Sequence, residues 1–140
     1  MATTSTPSGP SPVETRPNPR PRVDPARKML GGAVLMVVLG SFMPWVDTAV
    51  GSISGARGAG LWTFYGAMLG LAGALIPARR VAGIQAAIMA VVAVGLTGWQ
   101  VVHLLTLVGL GGWMVGPGLV LVFGGGVLAG AAARRLLARA

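Results

Sequence analysis

The chain has 140 residues, 54% hydrophobic and 10% charged, whereas about a quarter of the residues in ordinary soluble domains are charged. That length excludes a large multidomain enzyme and leaves room for one compact unit with a tail. The net charge is +8 and there is no cysteine, which rules out disulfides, thiolate chemistry and cysteine-held metals.

Residues 1–28 carry seven of the ten prolines, mixed with Ser, Thr and Arg. Such a stretch cannot bury enough apolar surface to offset its ordering entropy, so a disordered tail with polyproline II character is expected. Its cations Arg16, Arg20, Arg22, Arg27 and Lys28 outnumber Glu14 and Asp24.

Three long stretches then lack any Lys, Arg, Asp or Glu: Met29 to Val46, Gly58 to Ala78 and Val81 to Ala133. The first would span about 27 Å as a helix, close to the ~30 Å hydrocarbon core of a bilayer. The third would be roughly 80 Å long as one helix and so must fold back. Gly109, Gly111, Gly112, Gly116, Pro117 and Gly118 mark that reversal. The expected fold is therefore an all-α polytopic membrane protein, with four transmembrane helices arranged as two hairpins behind the tail. The spans are expected at residues 29–46, 60–77, 81–105 and 115–133, within one membrane domain covering 29–140. Because the first run is long and no A-x-A site follows Val46, it reads as an anchor and not as a cleaved signal.

Four spans put ten of the eleven cations on one side and leave Arg57 alone on the other. The positive-inside rule then places both termini in the cytoplasm of a plasma-membrane protein. All four tryptophans (Trp45, Trp62, Trp99, Trp113) and Tyr65 fall near the opposite helix ends, the level that amphipathic rings favour. Each half closes with Ala-Arg-Arg, at Ala78 to Arg80 and Ala133 to Arg135. This fits two hairpins of like orientation, though any two membrane hairpins share basic ends and interfacial Trp.

Small residues spaced i, i+4, i+7 line one face of three spans: Gly66, Gly70, Gly73; Gly83, Ala87, Ala90; and Gly126, Gly130, Ala133. Such faces let backbones approach closely. They are read first as packing within the monomer, with a homo-oligomer or helix–helix protein interface as the alternative. The polar residues at membrane depth are Ser41, Thr63, Gln85, Thr97, Gln100 and His103, none of them an intramembrane acid or fixed cation, which disfavours proton relays and ion-coupled transport. Gln85 is expected to reach the interface or a neighbouring carbonyl, and His103 to serve as a polar cap. A catalytic His103 would need an orienting partner, and Asp47 is the one carboxylate on its side. No catalytic, metal or cofactor residue is assigned. The positive charge lacks a nucleic-acid recognition fold, so nucleic acid is not expected; the bilayer and its anionic headgroups are the simpler partners.

The segment Gly40-Ser41-Phe42-Met43-Pro44-Trp45-Val46, the glycine-spaced loop at Gly51, Gly55, Gly58 and Gly60, and the turn Gly116-Pro117-Gly118 resemble the small four-helix integral membrane proteins of high-GC actinobacteria. The likeness covers roughly residues 29 to 133 and implies a four-span fold without an established activity. Together these features point to a non-enzymatic structural or accessory component of a membrane assembly. The alternative is an oligomeric pore or small-solute transporter subunit.

Overall fold

The computed structural model describes residues 23–109, 111 and 113–140. The expected tail lies outside this range as far as residue 22. The described residues form four α-helices: α1 (Pro25–Phe42), α2 (Ala59–Leu75), α3 (Arg79–Val108) and α4 (Pro117–Ala138). Three of them, α1, α3 and α4, are long and apolar enough to cross a membrane; α2 is equally apolar but has 17 residues. They form an antiparallel bundle in which α1 lies between α2 and α4, and α3 closes the ring opposite.

The first helix begins earlier than expected. Residues 25–28 form its opening turn and do not belong to a tail. Asp24 is the N-cap, its Oδ1 accepting from the Ala26 N–H at 3.0 Å, and Pro25 occupies the first turn, where its missing N–H is harmless. Proline-rich composition had masked that local start signal. The same helix also ends earlier, at Phe42 rather than residue 46. Pro44 forces the preceding Met43 into extended backbone (φ −75°, ψ 162°) and ends the helix there.

The all-α expectation needs a second correction. The end of the expected first span and the glycine-spaced loop after it hold strands β1 (Pro44–Thr48) and β2 (Gly51–Ser54) and a single 3-10 turn, Gly55–Arg57. The reversal before α4 holds β3 (Trp113–Val115). These pair as an antiparallel sheet in the order β2–β1–β3, with Val46 opposite both Ile53 and Val115. A two-residue turn, Ala49-Val50, joins β1 to β2, and Gly51 completes it at φ +137°, a conformation that a side chain would strain. Gly109, at φ +70°, ends α3 three residues later than the expected 105. The two hairpins therefore carry unlike connections, a β-ribbon in the first and one strand in the second.

The interior is built from small side chains. Ala33, Ala67, Ala82, Ala86, Ala93, Ala129 and Ala132 are buried beside Leu30, Val37, Met89, Val122 and Leu136. Large apolar groups such as Leu35, Leu39, Val91, Val120 and Val127 face outward, the reverse of a soluble surface. The small-residue faces point inward, as read from their spacing. A Cβ at Gly70 would collide with the Met89 Sδ and come 3.2 Å from Val34; at Gly126 it would lie 2.9 Å from Ala93 Cβ. Gly130 is looser, with Ala90 Cβ 3.6 Å away. Replacing Gly70 with Leu is therefore expected to lower the stability of the monomer by about 1–3 kcal/mol, as overpacking does in other cores. Gly95→Leu, at an exposed and open position on α3, should change it by less than ~0.5 kcal/mol. Unfolding of each variant in detergent micelles, with subunits counted by cross-linking, checks this; equal stability of the two would refute internal packing at Gly70.

Candidate functional site

The two ends of the bundle differ in chemistry. One end gathers Arg27, Lys28, Arg79, Arg80, Arg134, Arg135 and Arg139, seven of the eight cations among the described residues. Here Arg27 reaches across to the α2–α3 turn and donates to Pro77 O at 2.6 Å and, more weakly, to Ala74 O at 3.4 Å. Ala74 O belongs to the last turn of α2 and Pro77 O to the connection after it, where no intrahelical donor remains. Asp24 turns its second oxygen, Oδ2, to Arg79 Nη2 at 3.1 Å. The Asp24 side chain is 9% exposed and that of Arg79 46%, so solvent screens the pair and its direct worth is at most about 1 kcal/mol. One carboxylate thus caps α1 and ties it to the start of α3. Arg80, Arg134, Arg135 and Arg139 remain exposed.

The other end is closed by the sheet over Trp45. A β-bulge between Pro44 and Val46 breaks the alternation of β1, so that Trp45 and Val46 are both buried. The Trp45 indole N–H donates to Gly40 O at 2.9 Å, satisfying a carbonyl of the last turn of α1. Around it the backbones cross closely: a Cβ at Gly55 would strike the Trp45 ring, and one at Gly118 would lie 2.8 Å from Gly40 O. Of the five rings expected at an interface, Trp62, Tyr65 and Trp99 are exposed, whereas Trp45 is buried inside the fold. Pro44 beside Trp45 was the available sign that the ring follows a chain reversal. Trp113, half-buried on β3, donates its Nε1–H to Gly109 O at 2.9 Å.

The hydroxyls of Ser41, Thr63 and Thr97, buried in the bundle, are spent locally. Ser41 Oγ lies 2.7 Å from Val37 O and 2.8 Å from Thr63 Oγ1, which in turn lies 2.8 Å from Gly60 O. Two hydroxyl protons serve these three contacts, so one hydroxyl donates to its partner while the other donates to backbone. Thr97 donates to Ala93 O at 2.6 Å. Gln85 departs from expectation: its Oε1 is buried against α2, 3.0 Å from where a Gly73 Cβ would stand, and it has no hydrogen-bond partner. His103 is exposed and stacks on Trp99, with ring centroids 6.0 Å apart and planes 10° from parallel. No hydrogen bond or ion pair among the described residues joins it to Asp47 on β1. Nor do three His, Asp or Glu side chains converge among those residues.

The closed end supplies a stability test. Trp45→Phe keeps most of the buried ring but leaves Gly40 O unpaired, and is expected to destabilise the fold by about 1–3 kcal/mol. Trp99→Phe, on the outer surface, should cost less than ~0.5 kcal/mol. Paired unfolding curves decide; equal loss in both variants would mean that the indole hydrogen bond carries no weight. A scan of the chain against protein-family models finds no matching family, and a search of curated proteins finds no match.

Proposed function

We propose that this is a four-span protein of the cell membrane, both termini cytoplasmic, that serves as a non-enzymatic structural or accessory component of a larger membrane assembly. Its likeness to the small four-helix membrane proteins of high-GC actinobacteria belongs to the same proposal. The observation that carries it is the three-part division of the molecule. Cations crowd one end, large apolar side chains cover the sides, and Gly and Ala close the interior. The cation-rich end suits the cytoplasmic face under the positive-inside rule. Exposed Arg80, Arg134, Arg135 and Arg139 are available there to anionic headgroups. A bundle closed by backbone-to-backbone packing offers a rigid apolar exterior for neighbouring helices. The glycines that a pore would use to oligomerise, Gly70 and Gly126, are occupied inside the monomer.

Reporters fused at Arg80 and Ala140 are expected to score cytoplasmic, and one inserted at Ser54 external. An external Ala140 would leave an odd number of spans and overturn the topology. In mild detergent the tagged chain is expected to migrate well above its own 14.1 kDa as part of a complex, unchanged by His103→Ala or Asp47→Asn. A lone monomer would overturn the assembly role. Loss of the complex in either variant would point instead to a function at the sheet end.

A further inference from the structure

The bilayer has a fixed thickness, and helical rise measures where the sheet lies within it. Arg80 marks the cation-rich end of α3. Gly126 packs on Ala93 and Val94, and Gly83 on Leu137, which brings the start of α4 level with about Leu104 of α3. From Arg80 to Leu104 is about 36 Å of helix, whereas the hydrocarbon core is about 30 Å and the whole bilayer with headgroups about 40–45 Å. The sheet, which joins the start of α4 through Gly116 N–H to Trp45 O at 2.8 Å, thus falls at the depth of the far headgroup layer.

Its side chains suit that depth. Pairing places Val46, Ile53 and Val115 on one face and Asp47, Ser52 and Met114 on the other. Val46 belongs to the buried core, so its face turns to the bundle. Ile53 and Val115 flank it yet are 54% and 49% exposed: they overhang the helices. At the same end of the bundle the last turns of α3 expose Val102, Leu105, Leu107 and Val108, so its apolar sides run to this end without a charged residue on α3 after Arg80. In water this rim would be a costly apolar patch; at a bilayer surface it is a seat.

We propose that the three-stranded sheet is an interfacial element whose bundle-side rim, Ile53 and Val115, rests among the headgroups and upper acyl carbons of the outer leaflet, while Asp47 and Ser52 face water. The inference rests on the membrane-spanning reading given above. Because the chain has no cysteine, single spin labels can be placed at will. Labels at Ile53→Cys and Val115→Cys in liposomes should be relaxed by oxygen several-fold more than by a water-soluble nickel chelate. Labels at Ser52→Cys and Asp47→Cys should show the opposite order. A label at Val91→Cys, exposed midway along α3, tests the underlying reading: if nickel reaches it freely, the spanning model itself fails. If Val91 behaves as lipid-facing while Ile53 and Val115 are open to nickel, the spanning model stands and the interfacial seat is refuted. Shielding of Ile53 and Val115 from both reagents would mean that protein, a second copy included, covers the rim, and would equally refute it. Ile53 and Val115 lie on different strands, so failure of one variant to fold leaves the other decisive.

Discussion

Inside a bilayer every backbone carbonyl and N–H must find its partner within the protein, and the end of a helix is where that requirement is hardest to meet. Here α1 stops at Phe42 with its final carbonyls unpaired by its own helix. The chain answers by folding back on itself. Trp45 returns under the sheet to reach Gly40 O, Gly55 N–H reaches Met43 O, and Gly116 N–H reaches Trp45 O. The acceptors are a carbonyl of α1, its cap residue Met43 and Trp45 of β1, so the segment that leaves this helix end also holds the 3-10 turn and the approach to α4 in place. The glycines at this crossing follow from the same constraint. Positions 40, 55, 60, 116 and 118 pass within van der Waals reach of backbone atoms, leaving no volume for a Cβ.

At the opposite end a different solution serves the same need. Carbonyls at the end of α2 and just beyond it are met by the Arg27 guanidinium, and the Ala26 N–H in the first turn of α1 by Asp24. Charged side chains can do this work because they lie at the end of the bundle, which in the proposed membrane setting meets water and headgroups, where a guanidinium keeps its solvation. Inside the bundle neutral hydroxyls replace them, Ser41 and Thr63 toward the sheet end and Thr97 on α3, within hydrogen-bond reach of backbone carbonyls of their own helices or of one another. Polarity thus falls from the arginine end to the middle and rises again at the sheet. Gln85 Oε1 is the unsettled point in that gradient, an amide oxygen held against Gly73 with no donor in reach.

Packing follows from the same economy of side chains. Interior alanines and glycines bury little apolar area each, so in the proposed membrane setting, where lipid does not reward hydrophobic burial, stability depends on close fit. That makes Gly70 against Met89 and Gly126 against Ala93 sensitive positions, and it leaves the large aliphatic side chains free for the outer surface. A bundle of this kind is suited to lying beside other helices, which is the sense in which its architecture and the proposed role agree.

The four apolar segments, their alternating direction and the grouping of cations were legible in the sequence. They depend on uncharged run length and on basic residues such as Arg79, Arg80, Arg134 and Arg135, which act locally and independently of partners. The inward direction of the small-residue faces was legible too, because i, i+4, i+7 spacing places them on one side whatever they meet. The start of α1 at Pro25 and its stop before Pro44 were written in Asp24-Pro25 and Met43-Pro44, local signals that composition obscured. The sheet was not. Strands of five, four and three residues carry too little alternation to register, and β1 breaks even that at the bulge by burying Trp45 beside Val46. The β1–β2 hairpin is local, but β3 joins it only because the packing of α4 against α1 brings together Val46 and Val115, 69 positions apart in the chain. A pairing between distant segments is settled by the bundle beneath it, and only the folded chain could decide it.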